Sequence, residues 1–127
     1  MSKNILVYPV ILSKDGDYIF VQVPDIAGGF TQGNDLKDAI VMAEDLIGNL
    51  LADVSVYPKA SAPADIKLAT DEQLVYVSVD IDAFRRKYGK LVRKNITIPE
   101  YLNRLAKDQK INVSQVATAA LKVKLGI

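Results

Sequence analysis

The sequence predicts an α+β protein in two parts. Residues 1–82 read β-β-β-α-β, and residues 91–127 read as one strand followed by two short helices, with 83–90 as a short helix and joint. Three observations carry this reading. Short apolar, β-prone runs bounded by turn residues open the chain, and a single long helical period follows them. The charge then reverses sign. Residues 1–84 hold 5 Lys/Arg and 13 Asp/Glu, a net of −8, whereas residues 85–127 hold 11 and 2, a net of +9. Such asymmetry points to two domains with different partners.

The elements follow in order. Ile5 to Leu12 is apolar and reads as a strand, and Lys14-Asp15-Gly16-Asp17 supplies turn chemistry. Tyr18 to Val23 is the return strand, closed by Pro24, and Phe30-Thr31 is a short third strand. Asn34 is placed to cap a helix whose apolar positions run Leu36, Ala39, Ile40, Ala43, Ile47, Leu50, Leu51 and Val54. These residues are read as core. Tyr57 to Pro63 is a loop, Leu74 to Ile81 a further strand, and Asp82 is expected to cap a short helix that Gly89 ends.

Residues Leu91 to Ile98 alternate. Arg93, Asn95 and Thr97 share one face, and Val92, Ile96 and Ile98 the other, with Lys94 interrupting the apolar side. Pro99 and Glu100 suit the first turn of a helix that carries Leu102, Leu105 and Ala106. Asn112 is expected to make the turn in the left-handed region, and Ser114 to cap a last helix with Val116, Ala117, Ala120 and Leu121 on its buried face.

A lone strand with two short helices cannot bury its own faces. A two-fold dimer solves this, with two strands paired antiparallel and Ile96, Ile98, Leu102, Leu105, Val116, Ala120 and Leu121 as its core. The paired strands then show Arg93, Asn95 and Thr97 twice, and a two-stranded ribbon fits the DNA major groove. Arg suits guanine, Asn suits adenine, and Thr can donate, accept or touch a thymine methyl.

The stretch Val92-Arg93-Lys94-Asn95-Ile96-Thr97-Ile98-Pro99-Glu100-Tyr101-Leu102, followed by Asn112-Val113-Ser114-Gln115, resembles the ribbon-helix-helix DNA-binding family. The resemblance implies that Arg93, Asn95 and Thr97 read bases. It also implies that the backbone at Ser114, Gln115 and Val116 clamps a phosphate, in keeping with the anion affinity of a helix N-terminus. Asn112 stands where that family usually has Gly.

The N-terminal part resembles the HicB antitoxin family. The resemblance rests on Tyr8, Asp15-Gly16-Asp17-Tyr18, Val23-Pro24-Asp25-Ile26, Gly28, Thr31-Gln32-Gly33, Ala39 and Ala43. Gly29 departs from that family's frequent cysteine, and Lys37-Asp38 from its usual acidic pair. The resemblance implies a partial ribonuclease-H-like fold for the front domain. It also implies a HicA-like toxin partner, small, basic and RNA-cleaving. An acidic front domain suits a basic partner. Pro24, Gly28 and Gly33 are read as turn architecture. The expected function is a cytoplasmic antitoxin that binds its toxin and represses its own operon as a dimer on operator DNA. A stand-alone repressor with a ligand- or protein-sensing front domain is the alternative.

No enzyme, cofactor or metal is expected. The chain has no Cys and no His, so cysteine or histidine catalysis and thiolate metal sites are excluded. Two-metal ribonuclease chemistry needs carboxylates converging from several elements. The first strand offers no acid, Glu44 and Asp45 flank the helix stripe, Asp80 ends the last strand, and Asp15 and Asp17 sit in a turn.

Overall fold

The structure, a computed structural model, describes residues 4–127. The chain divides into two compact units at Gly89–Lys90. The first holds a four-stranded antiparallel sheet of β1 (Ile5–Asp15), β2 (Tyr18–Gln22), β3 (Phe30–Gly33) and β4 (Glu72–Asp80), in the spatial order β3-β2-β1-β4. Helix α1 (Leu36–Leu51) packs on one sheet face, and α2 (Ile81–Tyr88) follows β4 without a loop. The second unit contains α3 (Glu100–Asp108) and α4 (Val113–Leu125). No described helix is long and apolar enough to cross a membrane.

The pleat sorts β1 into two faces. Tyr8, Val10 and Leu12 are buried toward α1, where they meet Val21, Val77, Val79, Ala39, Ala43 and Ile47. The small Ala39 and Ala43 let the helix backbone approach the sheet. Among the described residues no polar or charged side chain is buried besides the Tyr8 phenol, so this core rests mainly on apolar area. β1 has neighbours on both sides only from Ile11 to Ser13, among those ladder positions that pair with both β2 and β4. Pro9, which cannot donate to a ladder, lies beyond that stretch.

Two turns demand glycine. Gly16 takes φ +60 in the two-residue β1–β2 turn, where Asp15 pairs with Tyr18. Gly33 ends β3 against the start of α1, and a Cβ there would run into the backbone of Ala39.

Three expected caps move. Asp35, not Asn34, caps α1. Its carboxylate accepts from the Asp38 amide at 2.8 Å, while Asp38 accepts from the Asn34 amide at 2.8 Å. This reciprocal box places two carboxylates at the positive end of the helix, which a neutral Asn side chain cannot match. Asp80, not Asp82, caps α2 through the Ala83 amide at 3.0 Å, because the helix starts one residue after the strand and buries Ile81. Asn112, not Ser114, caps α4 through the Gln115 amide at 3.1 Å.

Helix α1 ends at Leu51 and does not continue to Val54. The Ala52 carbonyl is taken by Arg85 Nε at 2.8 Å instead of by a further turn of helix. Arg85 also donates to the Tyr57 hydroxyl at 3.1 Å, and Asp82 lies beside its guanidinium at 3.5 Å. These bonds, with Phe84 packed over Gly48, fasten α2 to α1 and the loop after it.

Candidate functional site

In the second unit, residues 91–98 form neither a helix nor a ladder within one chain. Arg93, Asn95 and Thr97 are exposed there, and so are Val92, Ile96 and Ile98. Leu102, Leu105, Val116, Ala120 and Leu121 are exposed as well. The apolar positions expected to form a dimer core therefore have no cover from their own chain. Ile98, Leu102, Leu105, Ala106, Ile111 and Val116 line an open cleft of about 270 Å³ between α3 and α4.

The turn between these helices differs from expectation. The left-handed residue is Lys110, at φ 56, and Asn112 has φ −83. The Ile111 amide donates to Ala106 O at 2.9 Å and the Lys110 amide to Lys107 O at 3.1 Å. This is a Schellman termination, and it occupies carbonyls that α3 would leave open. It frees Asn112 to cap α4. Asn112 Oδ1 then occupies the Gln115 amide, and its carbonyl accepts from the Val116 amide at 3.1 Å. The amides left without a partner among the described residues at this helix start are those of Val113 and Ser114. The phosphate contact expected at Ser114, Gln115 and Val116 therefore meets a helix start at which the Gln115 and Val116 amides are already taken. The signal for the moved cap is the Asn112-Val113-Ser114-Gln115 order itself, since Asn caps as well as Ser does.

Three of the acids weighed for catalysis share a cleft, and Asp15 and Asp17 do not line it. Glu44 and Asp45 of α1, Asp80 of β4 and Lys87 of α2 line a space of about 240 Å³. The Asp80 carboxylate is committed to capping α2. Among the described residues no three acids gather as a metal-binding group. Among the described residues, Tyr8 is the group whose acidity is clearly displaced. Burial pushes its phenol above the ordinary value, aided by the Asp25 carboxylate and by Tyr57, and its hydroxyl donates to Pro58 O at 2.6 Å. That is an anchor for the loop after α1. The same loop is held by Ser61, whose amide and hydroxyl both donate to Asp25, at 2.8 and 2.6 Å.

Sequence reasoning passed over the sheet face opposite α1. Tyr18 and Phe30 are exposed on it, and the Phe20 and Phe30 rings stack with centroids 5.9 Å apart. The signal was present in β2, where Tyr18, Ile19, Phe20 and Val21 are apolar at both parities of the pleat.

A family model for the HicB-like antitoxin of bacterial toxin–antitoxin systems matches residues 8–121, nearly the whole length and both units. The chain belongs to the HicB-like antitoxin family. The antitoxin's likeness to solved structures agrees in fold. A chain of the toxin–antitoxin complex from Streptococcus pneumoniae superposes with a TM-score of 0.60 at 23% identity, covering 94% of this chain and 99% of that one. The HicB antitoxin of Burkholderia pseudomallei superposes with a TM-score of 0.54 at 23% identity, covering 93% and 96%. In sequence, the antitoxin is 30% identical over 103 residues to an uncharacterized 14.9 kDa protein from the rep-hol intergenic region of Haemophilus phage HP1, covering 76% of each.

Proposed function

We propose that this antitoxin acts in the cytoplasm through two arms. The observation that carries the reading is the second unit: a segment with no ladder, two helices with an open apolar cleft, and a net charge of +6 from 8 Lys/Arg and 2 Asp/Glu in residues 90–127. A second copy covers that cleft and pairs residues 91–98 with their equivalents as an antiparallel ribbon, the ribbon-helix-helix arrangement. Arg93, Asn95 and Thr97 from both copies enter the major groove and read bases. The free amides at Val113 and Ser114, at the positive end of α4, hold a phosphate beside the groove. The dimer sits on an inverted repeat in its own promoter and represses the operon.

The first unit, a partial ribonuclease-H-like domain, neutralises a HicA-like toxin by direct binding. Residues 1–89 carry 8 Lys/Arg and 13 Asp/Glu, a net of −5, which attracts a basic RNA-cleaving protein and repels its RNA.

The test is affinity purification of the tagged chain from its native locus at moderate salt. Supporting results are a stoichiometric small basic protein that arrests growth when expressed alone, and a purified complex that shifts its own promoter fragment in preference to random DNA. A dimer with no protein partner would overturn the toxin arm. A complex that shifts both DNAs equally would overturn operator recognition.

A further inference from the structure

We propose that the sheet face opposite α1 is the surface on which the basic toxin docks; this rests on the toxin-binding reading above. The ladders decide which residues share that face. Across it, Tyr18 neighbours Asp15, and Gln32, Phe20, Ser13 and Glu72 form the next row. Phe30, Gln22, Ile11 and Leu74 form the row after, and the β1–β4 pairs Pro9–Tyr76, Val7–Ser78 and Ile5–Asp80 complete it. Not one of these positions is Lys or Arg; Asp15 and Glu72 are acids, while the Asp80 carboxylate turns to cap α2.

The face is covered at Pro9 and Ile11, which are buried, and the Tyr76 hydroxyl there holds Ser61 O; around them it exposes apolar residues where the outer side of a two-layer fold ordinarily alternates to polar ones. Phe30 is 57% exposed, Tyr18 47%, Val7 46% and Ile5 44%. Exposed aromatics and aliphatics gathered on one face mark an interaction surface. The charge selects the occupant. Nucleic acid is repelled by Asp15 and Glu72. A second copy docked through the same face would bring those acids to ladder positions that hold no cation to meet them. A partner with Lys or Arg around an apolar centre satisfies both features. Its guanidinium groups can stack on Tyr18 and Phe30 and pair with Asp15 and Glu72.

The experiment uses the full-length chain and the growth-arresting basic protein that co-purifies with it. Phe30→Glu and the double change Asp15→Lys with Glu72→Lys alter exposed or half-exposed side chains. Val41→Glu, on an exposed position of α1, is the control. We expect both face variants to weaken toxin binding by about tenfold or more and to fail in growth rescue, with unchanged melting and promoter binding. The control should bind as wild type does. Hydrogen exchange supplies a second measurement that needs no variant: β2, β3 and β4 amides should gain protection on toxin addition.

Capture of no basic protein by the wild-type chain would sink both readings. Capture by wild type and face variants alike, without new protection in the sheet, would sink only the docking face. A smaller assembly of the free Phe30→Glu chain would show that a second copy covers the face, and would also overturn the proposal.

Discussion

Phe84 occupies the space that a side chain at Gly48 would need. A Cβ on this buried glycine would strike the ring at Cδ2 and Cε2. The relationship explains a glycine inside a helix, where it costs about 1 kcal/mol relative to alanine. Gly48→Ala should therefore destabilise the first unit by about 1–3 kcal/mol, as overpacking does, despite the better helix propensity. In a Phe84→Ala background the same change should become neutral or stabilising, by up to about 1 kcal/mol. Urea unfolding of the four proteins of this cycle measures the coupling. Additive effects would mean that the ring and the glycine are not in conflict.

Arg85 is a basic residue used for architecture. Its Nε holds the carbonyl of Ala52, just past α1, and its outer nitrogen holds Tyr57, while Asp82 lies beside it. Hydrogen bonds from a charged donor contribute about 1.5–3 kcal/mol each, less here because the side chain is about a quarter exposed. Arg85→Ala should cost about 1–2 kcal/mol in urea unfolding. Arg85→Lys should recover little, since an ammonium cannot span both acceptors in the same fixed geometry.

The reach of the sequence follows from these cases. The β-β-β-α-β order and the core residues Ala39, Ala43 and Ile47 were legible, because period 2 and period 3.6 patterns report burial directly. The caps were not, since Asn34-Asp35 and Asp80-Ile81-Asp82 each offer two residues of similar capping ability. The choice depends on where the preceding strand stops. The Gly48–Phe84 and Arg85–Ala52 contacts join residues 33 or more positions apart and have no local signature. In the second unit the alternation of Arg93, Asn95 and Thr97 against Ile96 and Ile98 was visible. The left-handed turn at Lys110 was not, because Lys is not a residue that announces positive φ.

The phenol of Tyr8 is held neutral by burial and by the nearby Asp25 carboxylate, so its folded pKa lies above that of the unfolded chain. A raised pKa on this acid means that its stabilisation is present below about pH 10 and is lost as pH climbs through the folded value. Tyr8→Phe should remove this part of the alkaline loss. It also deletes the bond to Pro58 O, at a cost of about 1 kcal/mol at neutral pH. Thermal melts of both proteins between neutrality and pH 11 separate the two effects. Parallel curves would show that Tyr8 does not titrate in the unfolding transition.

Lys110 pays conformational strain for the turn between α3 and α4. A residue with a Cβ at φ 56 loses about 1–2 kcal/mol there, and glycine avoids this while giving back part of it as backbone entropy. Lys110→Gly should stabilise the second unit by about 0.5–1 kcal/mol. Because that unit is proposed to fold as a dimer, the comparison belongs at matched chain concentration. A lower melting temperature would mean that the Lys110 side chain contributes something the turn geometry does not reveal.

Arg93 distinguishes the two arms. Its side chain is exposed and belongs to the unit that holds the proposed ribbon, so its loss should leave the first unit untouched. Arg93→Ala should weaken operator binding by about 1–3 kcal/mol, and random DNA far less, since a bidentate base contact is lost together with one charge. The salt dependence should fall by about one counterion per chain. Growth rescue from the toxin should be unchanged. Fluorescence anisotropy on operator and random duplexes across a salt series reads both quantities. If the variant binds the operator as tightly as the wild type, Arg93 faces away from the groove and the ribbon presents its other edge, with Val92 and Lys94, to the DNA.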